Sequence, residues 1–85
     1  MAEYDLSIKR SAEKDLNKLP RDVAERILEK IRLLEDDILP PASKKLINMD
    51  GYRLRVGDYR VLYTADEESG IVEITAVLHR KDAYR

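Results

Sequence analysis

Tyr4, Leu6 and Ile8 alternate with polar residues, the two-residue period of a strand with one buried face. Ser11 is a good N-cap for a short helix in which Ala12, Leu16 and Leu19 fall on one side, and Pro20 ends it near the start of the next. The second helix carries the clearest pattern in the chain. Val23, Ala24, Ile27, Leu28, Ile31, Leu34 and Ile38 form one stripe at steps of three and four, stopped by Pro40-Pro41. A loop over 42–50 leads to Gly51, and three strand signals follow. Tyr52-Arg53-Leu54-Arg55-Val56 alternates; Gly57-Asp58 suits a two-residue turn of type II′; Tyr59 to Ala65 is rich in β-formers. Asp66-Glu67-Glu68-Ser69-Gly70 makes an acidic loop before a last strand, Ile71 to Leu78. The order β-α-α-β-β-β predicts an α+β fold: an antiparallel sheet with a two-helix hairpin packed on one face.

At 85 residues the chain makes one domain, 1–85, near the lower end of what folds on a single core. It has no cysteine, so neither disulfides nor thiolate metal sites can staple the fold; no cofactor is expected. No stretch approaches the length of a membrane span, and Met1-Ala2-Glu3-Tyr4-Asp5 lacks the basic start of a signal peptide. These features lead to the expectation of a cytoplasmic protein with no membrane partner.

The formal net charge of −1 argues against coating nucleic acid by bulk electrostatics. The distribution is polarised, however. Residues 13–37 carry eight acids against six bases, while residues 44–64 carry five bases (Lys44, Lys45, Arg53, Arg55, Arg60) against Asp50 and Asp58. His79, Arg80, Lys81 and Arg85 add to the basic end.

Alternation converts this charge into a candidate site. If Tyr52, Leu54 and Val56 face the core, Arg53 and Arg55 face away from it. Pairing across Gly57-Asp58 sets Val56 opposite Tyr59 and Arg55 opposite Arg60, so three arginines project from one face. Like charges brought together this way favour an anionic ligand, and the guanidinium fork suits a phosphodiester. Arginine on an exposed strand also serves solubility or blunts a sheet edge. A lone histidine such as His79 is more often structural than catalytic, and Tyr84 could stack on a nucleobase or anchor a core edge. Tyr4, Tyr52, Tyr59 and Tyr63 read as core or rim residues.

Three segments, Ser11 to Pro20, Gly51 to Tyr63 and His79 to Tyr84, together resemble the RelE-type toxins of the RelE/ParE superfamily of toxin–antitoxin systems. The central Arg-x-Arg-Val-Gly-Asp-Tyr-Arg-Val-x-Tyr run is the specific part, and the likeness spans essentially the whole chain. It implies the RelE-like microbial ribonuclease fold and a metal-independent endoribonuclease that cuts mRNA in the ribosomal A site, inhibiting translation. Its partners would be the ribosome, its message and a RelB-like antitoxin. The RNA 2′-hydroxyl would attack the adjacent phosphate, leaving a 2′,3′-cyclic phosphate and a 5′-hydroxyl.

By the same resemblance, Arg60 stabilises the transition state, Arg80 serves as acid or phosphate clamp, and Tyr84 stacks on a nucleotide. Arg53 and Arg55 stand where well-studied members carry lysines. Arginine stays protonated, so both become phosphate binders together with Lys44 and Lys45. The general base is then His79, the residue type that titrates nearest neutrality, or Lys81, or is missing. Two other readings accompany the resemblance. One is a ParE-like toxin that inhibits DNA gyrase by binding. The other is a degenerate toxin that only partners an antitoxin and co-represses an operon. Arg60, Arg80 and Tyr84 beside the basic strand pair favour RNA cleavage.

Overall fold

Alternation of Leu6 with exposed neighbours sets the first strand, β1 (Asp5–Ile8), and the computed structural model, which describes residues 3–47 and 49–83, carries the chain on through two helices. α1 (Arg10–Asn17) buries Ala12 and Leu16, four residues apart on one face. Pro20 is the N-cap of α2 (Arg21–Arg32), which buries Ile27 and Ile31 in the same way, with Leu34 completing the stripe from a 3-10 turn, Leu33–Glu35. The stripe outlasts the helix. The backbone amides of Asp36 and Asp37 both donate to the Leu33 carbonyl, and the Asp37 carboxylate accepts from the amide of Leu39 at 2.9 Å. This local bond competes with continued helix, so Ile38 packs on the core from a loop.

Four strands follow: β2 (Ser43–Lys45), β3 (Tyr52–Val56), β4 (Tyr59–Asp66) and β5 (Ile71–His79), then a short helix, α3 (Arg80–Ala83). They form one five-stranded sheet with β1, in the order β1-β5-β4-β3-β2. The fold is α+β as expected, but the sheet is mixed: β1 runs parallel to β5, the remaining pairs being antiparallel. The chain between β1 and β2 supplies the two helices that cover one face. That face carries Leu54, Val56, Val61, Tyr63, Val72, Ile74 and Val77, all buried, and they meet Ala12, Leu16, Ile27, Ile31 and Leu34 in a single core.

Three local features shape the site. The β3–β4 hairpin turns at Gly57, whose φ is +58°; Asp58 is not in the left-handed region, as type II′ requires. β2, expected to be loop, exists because Ser43, Lys44 and Lys45 pair with Leu54, Arg53 and Tyr52. Third, β5 carries a bulge. Leu62 faces Ala76 but Tyr63 faces Ile74, leaving Thr75 as the extra residue.

The bulge reverses the alternation of β5. Val72 and Ile74 point to the core before it, and Val77 after it. Where β1 stops pairing, α1 takes over the edge. The Lys9 amide donates to the Ile74 carbonyl, Ser11 Oγ donates to the Thr75 carbonyl at 2.8 Å, and the Val77 amide donates to Asp15 Oδ2 at 3.0 Å. Ser11 is thus committed to the sheet, and Lys9, with no side-chain cap, occupies the N-cap position expected for Ser11.

Candidate functional site

The basic residues gather on the face of the β2–β3–β4 sheet turned away from α1 and α2. Register pairs Lys44 with Arg53 and Arg55 with Arg60, and cross-strand partners share a face. Together with Ala42 and Ser43 these four cations line a cleft of ≈ 350 Å³. Arg60 is the fixed member. It is buried to 8% exposure, and its Nη1 donates to the carbonyls of Gly57 at 3.1 Å and Tyr59 at 3.0 Å. The hairpin turn therefore sets the plane of this guanidinium before any ligand arrives. Arg55 is exposed and Arg53 half-buried. The floor of the cleft is held at Ala42, which sits at φ +72° and accepts a hydrogen bond from the Arg55 amide at 2.9 Å. Ser43 Oγ donates to the Pro40 carbonyl at 2.6 Å, tying the start of β2 to the loop.

Lys45 does not join them. It pairs with Tyr52 and so falls on the opposite face, at the sheet's edge. Among the described residues, no three His, Cys, Asp or Glu side chains are grouped so that they could hold a metal ion.

Residues 6–84 match the family model of the ParE toxin of the type II toxin–antitoxin system parDE. The chain belongs to this family. Among solved structures it is similar to a chain of the toxin–antitoxin complex RelBE2 of Mycobacterium tuberculosis, at 31% identity over 92% of this chain and 99% of that one, with a TM-score of 0.82. It is similar to the archaeal RelE–RelB complex of Pyrococcus horikoshii at 30% identity, over 94% and 98% of the two chains, with a TM-score of 0.82. A mutant of the Escherichia coli toxin RelE in the free state aligns at 25% identity over 99% of this chain and 90% of that one, with a TM-score of 0.79. No curated protein sequence matches it.

In this toxin the C-terminal site residues are divided. Arg80 opens α3 beside the hairpin turn that holds Arg60. Its amide donates to the Asp58 carbonyl at 2.7 Å, and its Nε lies 3.8 Å from Asp58 Oδ1 in an exposed pair. The Gly57-Asp58 turn thus anchors both Arg60 and Arg80. In the sequence Asp58 reads as a turn residue only, and nothing in its spacing marks this second role.

His79 is placed differently from the expectation of a base beside the arginines. It pairs with Tyr59, so it lies on the helix-side face, opposite Arg60. Its ring meets that of Tyr59 edge-on, with centroids 5.4 Å apart, and Nδ1 accepts the Lys81 amide at 3.3 Å. The physical reason is the bulge: strict alternation from Ile74 would have put His79 on the arginine face. Lys81 is exposed on α3 and does not line the cleft. The expected stacking residue, Tyr84, lies outside the described residues.

Among the described residues no helix is long and apolar enough to cross a membrane.

Proposed function

We propose that this toxin is a metal-independent endoribonuclease that cuts mRNA presented in the ribosomal A site. The observation that carries the reading is the set Lys44, Arg53, Arg55 and Arg60 lining one cleft, with Arg60 immobilised by the turn that also anchors Arg80. Such a site suits a phosphate that gains negative charge in its transition state, because fixed donors need no reorganisation when that charge appears. Arg53 and Arg55 hold the phosphate, Arg60 stabilises the phosphorane, and Arg80 clamps it or protonates the leaving 5′-oxygen. The 2′-hydroxyl proton passes to solvent. The O2′–P bond forms as the P–O5′ bond breaks, giving a 2′,3′-cyclic phosphate and a 5′-hydroxyl. His79 acts from the opposite face by holding the start of α3, and so Arg80, in place. In the cell the toxin is cytoplasmic and is restrained by a RelB-like antitoxin, as the RelE–RelB complexes among its structural neighbours suggest.

A ParE-like action on DNA gyrase is the second reading, favoured by the family model itself. The test is cleavage of a message on programmed ribosomes with end-mapped products. Ribosome-dependent cuts that vanish in Arg60→Ala, and fall at least tenfold in the exposed Arg55→Ala, support the nuclease. An intact message, with gyrase supercoiling inhibited instead, moves the toxin to the second reading.

A further inference from the structure

The bulge that turns His79 away turns two aliphatic residues outward. Register places them in two rows across the sheet face turned away from α1 and α2. One runs Lys44–Arg53–Leu62–Ala76, the other Arg55–Arg60–Leu78. Each row passes from cation to aliphatic side chain in one strand step, roughly 5 Å. Leu62, Ala76 and Leu78 are half-buried, yet none belongs to the core or to the apolar residues packed on it. Beyond the bulge the same face turns polar and acidic, with Thr64 paired to Glu73 and Glu73 to Ser7.

We propose that Leu62, Ala76 and Leu78 form a nucleobase platform for the RNA whose phosphates occupy the cationic cleft. The inference rests on the nuclease reading and extends it. Three observations select single-stranded RNA as the occupant. The cleft complements an anionic backbone, the aliphatic strip continues from it without a gap, and Glu73 repels phosphate from the far side. A bound strand therefore lies with its backbone over β2–β3 and its bases towards β5. The strip offers no side-chain donor or acceptor, so it receives bases by apolar contact and does not read their edges. Sequence tolerance follows from that chemistry.

The test uses the full chain with ¹³C-labelled leucine methyls, titrated at low salt with a hexa-adenylate whose 2′-hydroxyls are methylated so that it cannot be cut. A matching abasic oligomer of equal charge serves as control. Bases seated on the strip shift the Leu62 and Leu78 methyls upfield, and hexa-uridylate shifts the same methyls. The abasic oligomer moves only the arginine side-chain resonances. Leucine methyls that stay still, or move equally with both oligomers, overturn the platform, as does a protein that responds to neither.

Leu62→Thr and Leu78→Thr keep β-compatible side chains. They should retain the wild-type melting temperature and the arginine response while slowing ribosomal cleavage about fivefold or more. If they instead lose antitoxin binding with cleavage unchanged, the strip is a protein-docking face and the proposal fails. Ribosomal cleavage with unresponsive leucines sinks only the platform. A base-dependent leucine response without cleavage sinks only the nuclease.

Discussion

At Gly51 the backbone leaves no room for a side chain. Its φ is +118°, and a Cβ there would stand 2.9 Å from the Tyr63 carbonyl oxygen. Gly51→Ala is expected to cost roughly 1–3 kcal/mol, read as a lower denaturation midpoint. An unchanged midpoint would mean that the loop into β3 moves without cost. Ala42 presents the converse case, an L-residue held at φ +72° where only glycine is unstrained. Ala42→Gly should therefore be neutral or stabilising by about 0.5–1 kcal/mol, with the cleft intact. Tyr63 supplies a pH dependence. It is 1% exposed, stacks on Tyr52 at 5.3 Å, and donates to the Ile38 carbonyl at 2.6 Å. Burial pushes its phenol up to about 12, against the Ser43 hydroxyl that acts in the other direction. Because the folded state holds the proton more tightly, this contribution is complete below pH 10 and is lost as pH rises from 10 towards 12. Denaturant unfolding across that window should show the loss in the wild type and a flatter profile in Tyr63→Phe. That variant also starts lower, because the Ile38 carbonyl loses its donor.

Among the elements, α1 acts as a cap on a sheet edge as much as a core helix. Asp15 accepts the Val77 amide where β1 no longer reaches. Asp15→Ala leaves that amide without its partner and should cost about 1–2 kcal/mol, whereas Asp15→Asn keeps an acceptor and should cost less. Hydrogen exchange at Val77 decides it: equal protection in both variants would mean that the carboxylate is incidental. The same region explains what could be read in advance. The β3–β4 hairpin was legible, down to Val56 opposite Tyr59 and Arg55 opposite Arg60, because a period of two and a Gly-Asp turn leave a single register. The cationic cleft follows from that register. β2 was not legible, since Ser43-Lys44-Lys45 has no apolar alternation and is made a strand by the edge of β3. The parallel pairing of β1 with β5 joins residues more than sixty positions apart and leaves no local mark. The bulge at Thr75 also has no signature, so the faces taken by His79 and Leu78 leave no mark in the sequence.

Across the whole molecule, charge and exposed apolar surface are arranged together. The groove between α2 and the end of β3 is lined by Leu33, Pro41, Leu54 and Val56, and rimmed by Arg26, Lys30 and Arg55. Leu33 remains 47% exposed there. The groove has a volume of ≈ 380 Å³ and shares Arg55 and Ala42 with the cationic cleft. An amphipathic antitoxin segment with acidic residues along one side would satisfy both the apolar floor and the basic rim. On the nuclease proposal, engaging Arg55 would withdraw one phosphate contact from the site and so link restraint of the toxin to its chemistry. Two variants separate the contributions. Leu33→Asp removes apolar contact and should weaken the complex mainly through faster dissociation, at every salt concentration. The double variant Arg26→Glu, Lys30→Glu should slow association and flatten its dependence on ionic strength, because rim charges steer encounter more than they hold the complex. Neither change touches the cleft residues, so the ribosomal cleavage proposed for the free toxin should persist in both. If the double variant binds the antitoxin with unaltered association kinetics, the restraint enters from another face and Arg55 is not shared.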